Sequence, residues 1–132
     1  MDFSSLVIME KEASTGFLTK EIGSYEVHEG AEYVTRLYKE NNEVVVSFDT
    51  NKDVEEWEFS AIYDLFPYDI FEEEGFKVKD KDDEFNPTWI VKISYSDNHE
   101  EMKDELNNIC DLIFEAMNKV FEDIKGKSEE YK

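Results

Sequence analysis

One cysteine, two histidines and a large surplus of carboxylates are the side chains of this chain that could do chemistry. Cys110 is flanked by Ile109, Ile113 and Phe114 at helical spacing, which predicts a small buried hydrophobe rather than a reactive thiolate. His28 falls at a strand exit and His99 in a first helical turn, positions of ordinary surface histidines. A zinc site needs three or four ligands, and one cysteine with two distant histidines does not supply them. There is no Gly-x-Ser-x-Gly elbow and no glycine-rich phosphate loop; the five glycines sit at turns and element ends. The carboxylates number 34, so sequence alone selects no acid and base pair from among them. Asp80-Lys81-Asp82-Asp83-Glu84 resembles the start of a calcium loop, but the glycine expected at its sixth position is missing and Val91 stands where the distal glutamate would be. A solvated charged loop is the expectation there. These residues predict a protein that is not an enzyme, with no catalytic residue, cofactor or metal. The alternatives are a small-molecule or divalent-metal-binding protein, or a hydrolase with a carboxylate-lined pocket.

Charge narrows the partners. Net charge is −20, and the lysines and arginine are scattered along the chain. Nucleic acid and anionic lipid both require a cationic patch, so neither nucleic acid nor membrane is expected to bind. Between Asp53 and Glu84 lie 13 acids against 3 lysines, a net of −10. Within that span Trp57, Phe59, Tyr63, Phe66, Tyr68 and Phe71 alternate with acids and run into Glu72-Glu73-Glu74. Rings ringed by acid suit a docking surface for a basic protein, because the rings anchor and the charges steer. The same rings would equally serve to plug the end of a core. A homodimer through an open sheet face is a further arrangement.

The elements that must position these residues are led by the segment from Asp97 to Lys125. Met102, Leu106, Ile109, Cys110, Ile113, Phe114, Met117, Val120, Phe121 and Ile124 fall on one broad stripe at 100° per residue. Asp97 and Glu100 have capping-box spacing at its start, and Gly126 marks its stop. Leu6 to Met9 predicts a strand, too short for the core of a signal peptide or a membrane span. Ala13 to Gly16 reads as a turn, and Phe17 to Val27 as a strand in which Gly23 marks a bulge. Ala31 to Tyr38 predicts another, with apolar groups on both faces. Asn41-Asn42 predicts a two-residue type I′ turn leading into the alternating Val44, Val46 and Phe48. Residues 54–66 fit either a helix begun by Asp53 and Glu56 or a strand reaching Phe59; the strand is expected, because a short turn after a strong strand favours antiparallel pairing. Pro67 breaks the chain and can open a short helix. Phe76 to Lys79 and Trp89 to Tyr95 complete the strands. The sum is an α+β domain spanning 1–132, a mostly antiparallel sheet of five to seven strands with one long C-terminal helix on one face and a frayed tail at 127–132. A single cysteine cannot form an internal disulfide, and a reducing, cytoplasmic setting is expected.

Three phrases, Phe3-Ser4-Ser5-Leu6, Gly23-Ser24-Tyr25-Glu26 and the run from Asp53 to Phe66, resemble those of a group of small acidic clostridial proteins of unknown function. The resemblance spans nearly the whole chain and implies a low-GC, anaerobic bacterial source. It carries no catalytic motif.

Overall fold

The computed structural model describes residues 4–12, 14–81 and 83–131. Ala13 of the expected turn, Asp82 of the charged loop and Lys132 of the tail lie outside them. A six-stranded sheet is ordered β2-β1-β3-β4-β6-β5, built from β1 (Ser4–Lys11), β2 (Leu18–Val27), β3 (Val34–Glu40), β4 (Glu43–Asp49), β5 (Val78–Asp80) and β6 (Thr88–Ser94). Every neighbouring pair is antiparallel except β1 and β3, which meet in parallel through Met9 with Tyr38 and Glu10 with Lys39. Across one face runs α3 (His99–Asp123), flanked by α1 (Glu56–Leu65) and α2 (Tyr68–Glu72). The expected α+β architecture, with a mostly antiparallel sheet and a long C-terminal helix, is the one observed.

Strand alternation sets which face is core. Val44, Val46 and Phe48 of β4 and Trp89, Val91 and Ile93 of β6 are buried beneath the helices, and their cross-strand registers place them side by side. On β1 and β2 the same face carries Ile8, Tyr25 and Val27. The bulge predicted near Gly23 is present one residue away: Ile8 pairs with Gly23 and Met9 with Glu21, leaving Ile22 as the extra residue. Ala31–Tyr33 forms a 3-10 turn instead of the start of a strand. In β3 only Leu37 is buried, so that strand is not interior on both sides. In the β3–β4 hairpin positive φ is confined to Asn41, whereas a type I′ turn would need it at both central residues.

Residues 56–65 are a helix, not the expected strand. Its N-terminus has a capping box in which Glu55 N–H donates to Glu58 Oε1 at 2.9 Å. The physical reason for the correction is pairing: β3 and β6 occupy both edges of β4, so the segment that follows β4 in sequence cannot pair with it. α2 begins immediately after Pro67, as its missing N–H permits.

Helix α3 starts one residue later than the Asp97 signal implied, with Asn98 as N-cap accepting from Glu101 N–H at 3.1 Å. Its buried stripe holds Met102, Leu106, Ile109, Cys110, Ile113, Met117 and Val120, and adds Leu112 and Ala116. Phe114 and Phe121 are only half-buried, and Lys52 Nζ lies 4.1 Å from the Phe121 ring centre. Asn107 ties this helix to the edge of β2: it accepts from His28 N–H at 2.9 Å and donates to the Glu26 carbonyl at 3.2 Å. Where a frayed tail was expected, Ser128–Tyr131 forms a short helix, α4, whose Tyr131 hydroxyl bonds Asp64 of α1 at 3.0 Å.

Candidate functional site

The acidic and aromatic stretch is divided by the fold. Phe66 and Phe71 are 4% and 0% exposed and join Phe48 and Trp89 in a stacked group; the Phe66 and Trp89 centroids are 4.2 Å apart with planes 21° from parallel. Stacks of this kind add to the burial energy of the rings. These two rings are therefore core and are not available as anchors on a surface, a correction to the docking surface read from sequence. Tyr68 and Tyr63 close the edge of the group. Trp89 Nε1–H donates to the Tyr68 hydroxyl at 3.1 Å, and the Tyr63 ring meets Trp89 edge-on at 5.4 Å. Burial raises the Tyr68 hydroxyl above its ordinary pKa.

What remains outward is Trp57, Phe59, Tyr63 and Tyr68 as half-buried rings and Glu72, Glu73 and Glu74 as exposed acids at the end of α2. Phe59 lies edge-on to Tyr63 at 5.1 Å. Trp57 lines a hollow of 440 Å³ between α1 and α4 with Glu55, Glu56, Ser60 and Tyr131. Its indole N–H donates to Glu55 Oε2 at 2.9 Å, which fixes the ring plane beside two carboxylates. An indole face beside carboxylates is suited to a lysine or arginine side chain.

The sheet face away from the helices is the second surface, and its residues come from strands distant in sequence. Val45 is 3% exposed there although it lies outside the main core; its cross-strand neighbours are Tyr38 and Lys92. Lys11 and Arg36 approach the Tyr38 ring to 5.3 and 5.4 Å, and Lys11 pairs with Glu40 at 2.8 Å. That hydrogen-bonded ion pair holds the Glu40 carboxyl below its ordinary range, and Lys92 adds to the effect. One hollow of 290 Å³ on this face is lined by Thr35, Arg36, Tyr38, Ser47, Asp49 and Lys81 among others. A neighbouring one of 300 Å³ is lined by Glu43, Gly75, Lys77, Lys79, Ile90 and Lys92.

Of the groups considered for chemistry, the thiol is buried and both histidines are exposed. Cys110 is fully buried, and burial pushes its thiol from an ordinary 9.0 up to about 12, the opposite of an activated nucleophile. His28 Nδ1 lies 3.9 Å from Asp111, and His99 stacks on Tyr25 at 4.8 Å with its Nε2 3.2 Å from the Ser24 carbonyl. Among the described residues no group of three or more His, Cys, Asp or Glu is placed to hold a metal ion. A 530 Å³ groove beside α3 gathers Glu101, Asp104 and Glu105 with Ser94, Ser96 and Asn108, but the Ser96 hydroxyl already occupies Glu101 at 2.8 Å. No helix is long and apolar enough to cross a membrane among the described residues.

Sheet, helical layer and surface hollows define a two-layer α+β domain with two charged faces. The chain belongs to a family of unknown function, DUF6762, whose model matches residues 1–132. No curated protein and no solved structure matches it.

Proposed function

We propose that this protein is a non-catalytic interaction domain whose acidic helical surface docks a basic protein. The observation that carries the reading is the Trp57 hollow, where an oriented indole stands beside Glu55 and Glu56 and opens to solvent. A cationic side chain entering it would meet the ring face and two carboxylates, and the surrounding negative field would speed its arrival. Glu72, Glu73 and Glu74 extend that field from the end of α2 without being needed for the core. The lone interior cysteine is consistent with a reducing, cytoplasmic setting.

The test is capture of binding proteins from source-cell lysate at low and at physiological salt, followed by kinetics on whatever basic protein is recovered. Exposed charges are screened over a Debye length of about 8–10 Å, so association should slow steeply as salt rises. Glu72→Gln, Glu73→Gln and Glu74→Gln combined should lower the association rate, and Trp57→Ala should raise the dissociation rate. Recovery of no salt-sensitive basic partner, or kinetics indifferent to Trp57, would overturn the reading.

A further inference from the structure

The sheet gathers cations that the sequence scatters. Lys11, Arg36, Lys77, Lys79, Lys81 and Lys92 all meet on the face away from the helices, six of the fourteen basic residues in a chain of net charge −20. Lys11 is engaged by Glu40, and Lys81 by Asp83 and Glu84. Among the described residues Lys77, Lys79 and Lys92 form no ion pair, although Lys92 acts on the Glu40 carboxyl and shares its hollow with Glu43. These three lysines line the 300 Å³ hollow together with Ile90, Glu43 and Gly75. Register accounts for the convergence: Lys79 lies opposite Ile90 across β5 and β6, and Lys92 follows Ile90 by two residues on the same face.

The hollow borders a free edge. β5 pairs with β6 on one side and is the last strand of the sheet, so the backbone groups on its outer side have no strand partner among the described residues. A free edge accepts an extended segment by strand addition, with alternate side chains of that segment read by whatever lines the face. Alternate side chains of a strand added to β5 would project over the open face beside Lys77 and Lys79.

We infer that the β5 edge and the Lys77, Lys79 and Lys92 hollow form a docking site for an extended acidic polypeptide segment, a site separate from the acidic surface around Trp57. Charge complementarity names the occupant. A long polyanion such as nucleic acid would run from this small patch onto a strongly acidic surface, whereas a short acidic segment is bounded by the patch itself. The ordinary alternative is that these lysines only keep other strands away from an exposed edge.

A fluorescently labelled glutamate-rich decapeptide, titrated into the full chain at low salt and followed by anisotropy, separates these readings. Saturable binding is expected, with backbone amide shifts confined to residues 76–80 and their β6 neighbours. Lys79→Glu combined with Lys92→Glu should weaken it by roughly tenfold or more while the far-ultraviolet circular dichroism and melting temperature stay unchanged. Trp57→Ala should leave it intact, which distinguishes failure here from failure of the acidic docking surface. Absence of saturable binding, undiminished binding by the double variant, or shifts located elsewhere would overturn the site and leave edge protection as the role of the lysines. Equal or tighter binding of a single-stranded oligonucleotide would overturn the assignment to acidic protein.

Discussion

The Tyr63 hydroxyl of α1 accepts the Thr88 amide proton at 2.9 Å and lies 3.2 Å from both the Thr88 and Lys81 carbonyls. One side chain thus serves backbone groups at the mouth of the β5–β6 hairpin and fixes α1 over the first residue of β6. Tyr63→Phe keeps the ring against Trp89 and removes those bonds. The loss should be about 1–3 kcal/mol, the usual penalty for stranding a part-buried amide, measured as a shifted urea midpoint with an unchanged slope. No shift would mean that water replaces the hydroxyl at no cost.

Gly30 should tolerate no side chain. Its φ is +104°, and a Cβ would stand 2.1 Å from the Cys110 carbonyl oxygen of α3. Gly30→Ala combines a disfavoured backbone with overpacking against main chain, so a loss of about 3 kcal/mol or more is expected. Gly75 also has positive φ, but nothing lies within 4 Å of its would-be Cβ. Gly75→Ala should cost only about 1–2 kcal/mol, and denaturant melts of the two variants compare the terms directly.

Ile113 is fully buried in α3, whereas the adjacent Phe114 is half-buried. Ile113→Ala should lower stability by about 2–5 kcal/mol, as emptying a packed site does. Phe114→Ala removes a larger group and should cost less than a full phenylalanine deletion. Equal losses at both positions, read by thermal or urea unfolding, would show that the interior arc of the helix is centred elsewhere.

Cys110 should be silent toward thiol reagents at neutral pH in the native protein and react at once in denaturant. Its folded pKa of about 12 lies above the ordinary 9.0, so folding keeps the proton that the unfolded chain releases between those values. The stability associated with the neutral buried thiol is therefore fully present below pH 9 and declines as pH rises toward 12. Rapid native labelling at pH 7.5 would show that the helix exposes this face far more often than global unfolding allows.

Periodicity along the chain determined α3, β4 and β6, because an apolar repeat of 3.6 or 2 is a local property that survives almost any tertiary context. Leu106, Ile109, Ile113 and Val120 face inward as their spacing requires, and so do Val44, Val46 and Phe48. Local chemistry also marked the Asn41 turn and, within a residue, the bulge beside Gly23. Residues 54–66 could not be decided locally, since the segment suits both periods. The occupied edges of β4 excluded pairing with that strand, and edge occupancy is a relation between segments distant in sequence. Phe66 and Phe71 looked the same in sequence as Trp57 and Phe59, yet two are interior and two face partly outward. What separates them is how α1 and α2 seat on Phe48 and Trp89. Lysines from separate segments of the chain came to share one sheet face only when pairing brought β5 and β6 beside β4 and β3. Composition set the net charge of this protein, but strand register, a consequence of long-range pairing, decided where opposite charge collects.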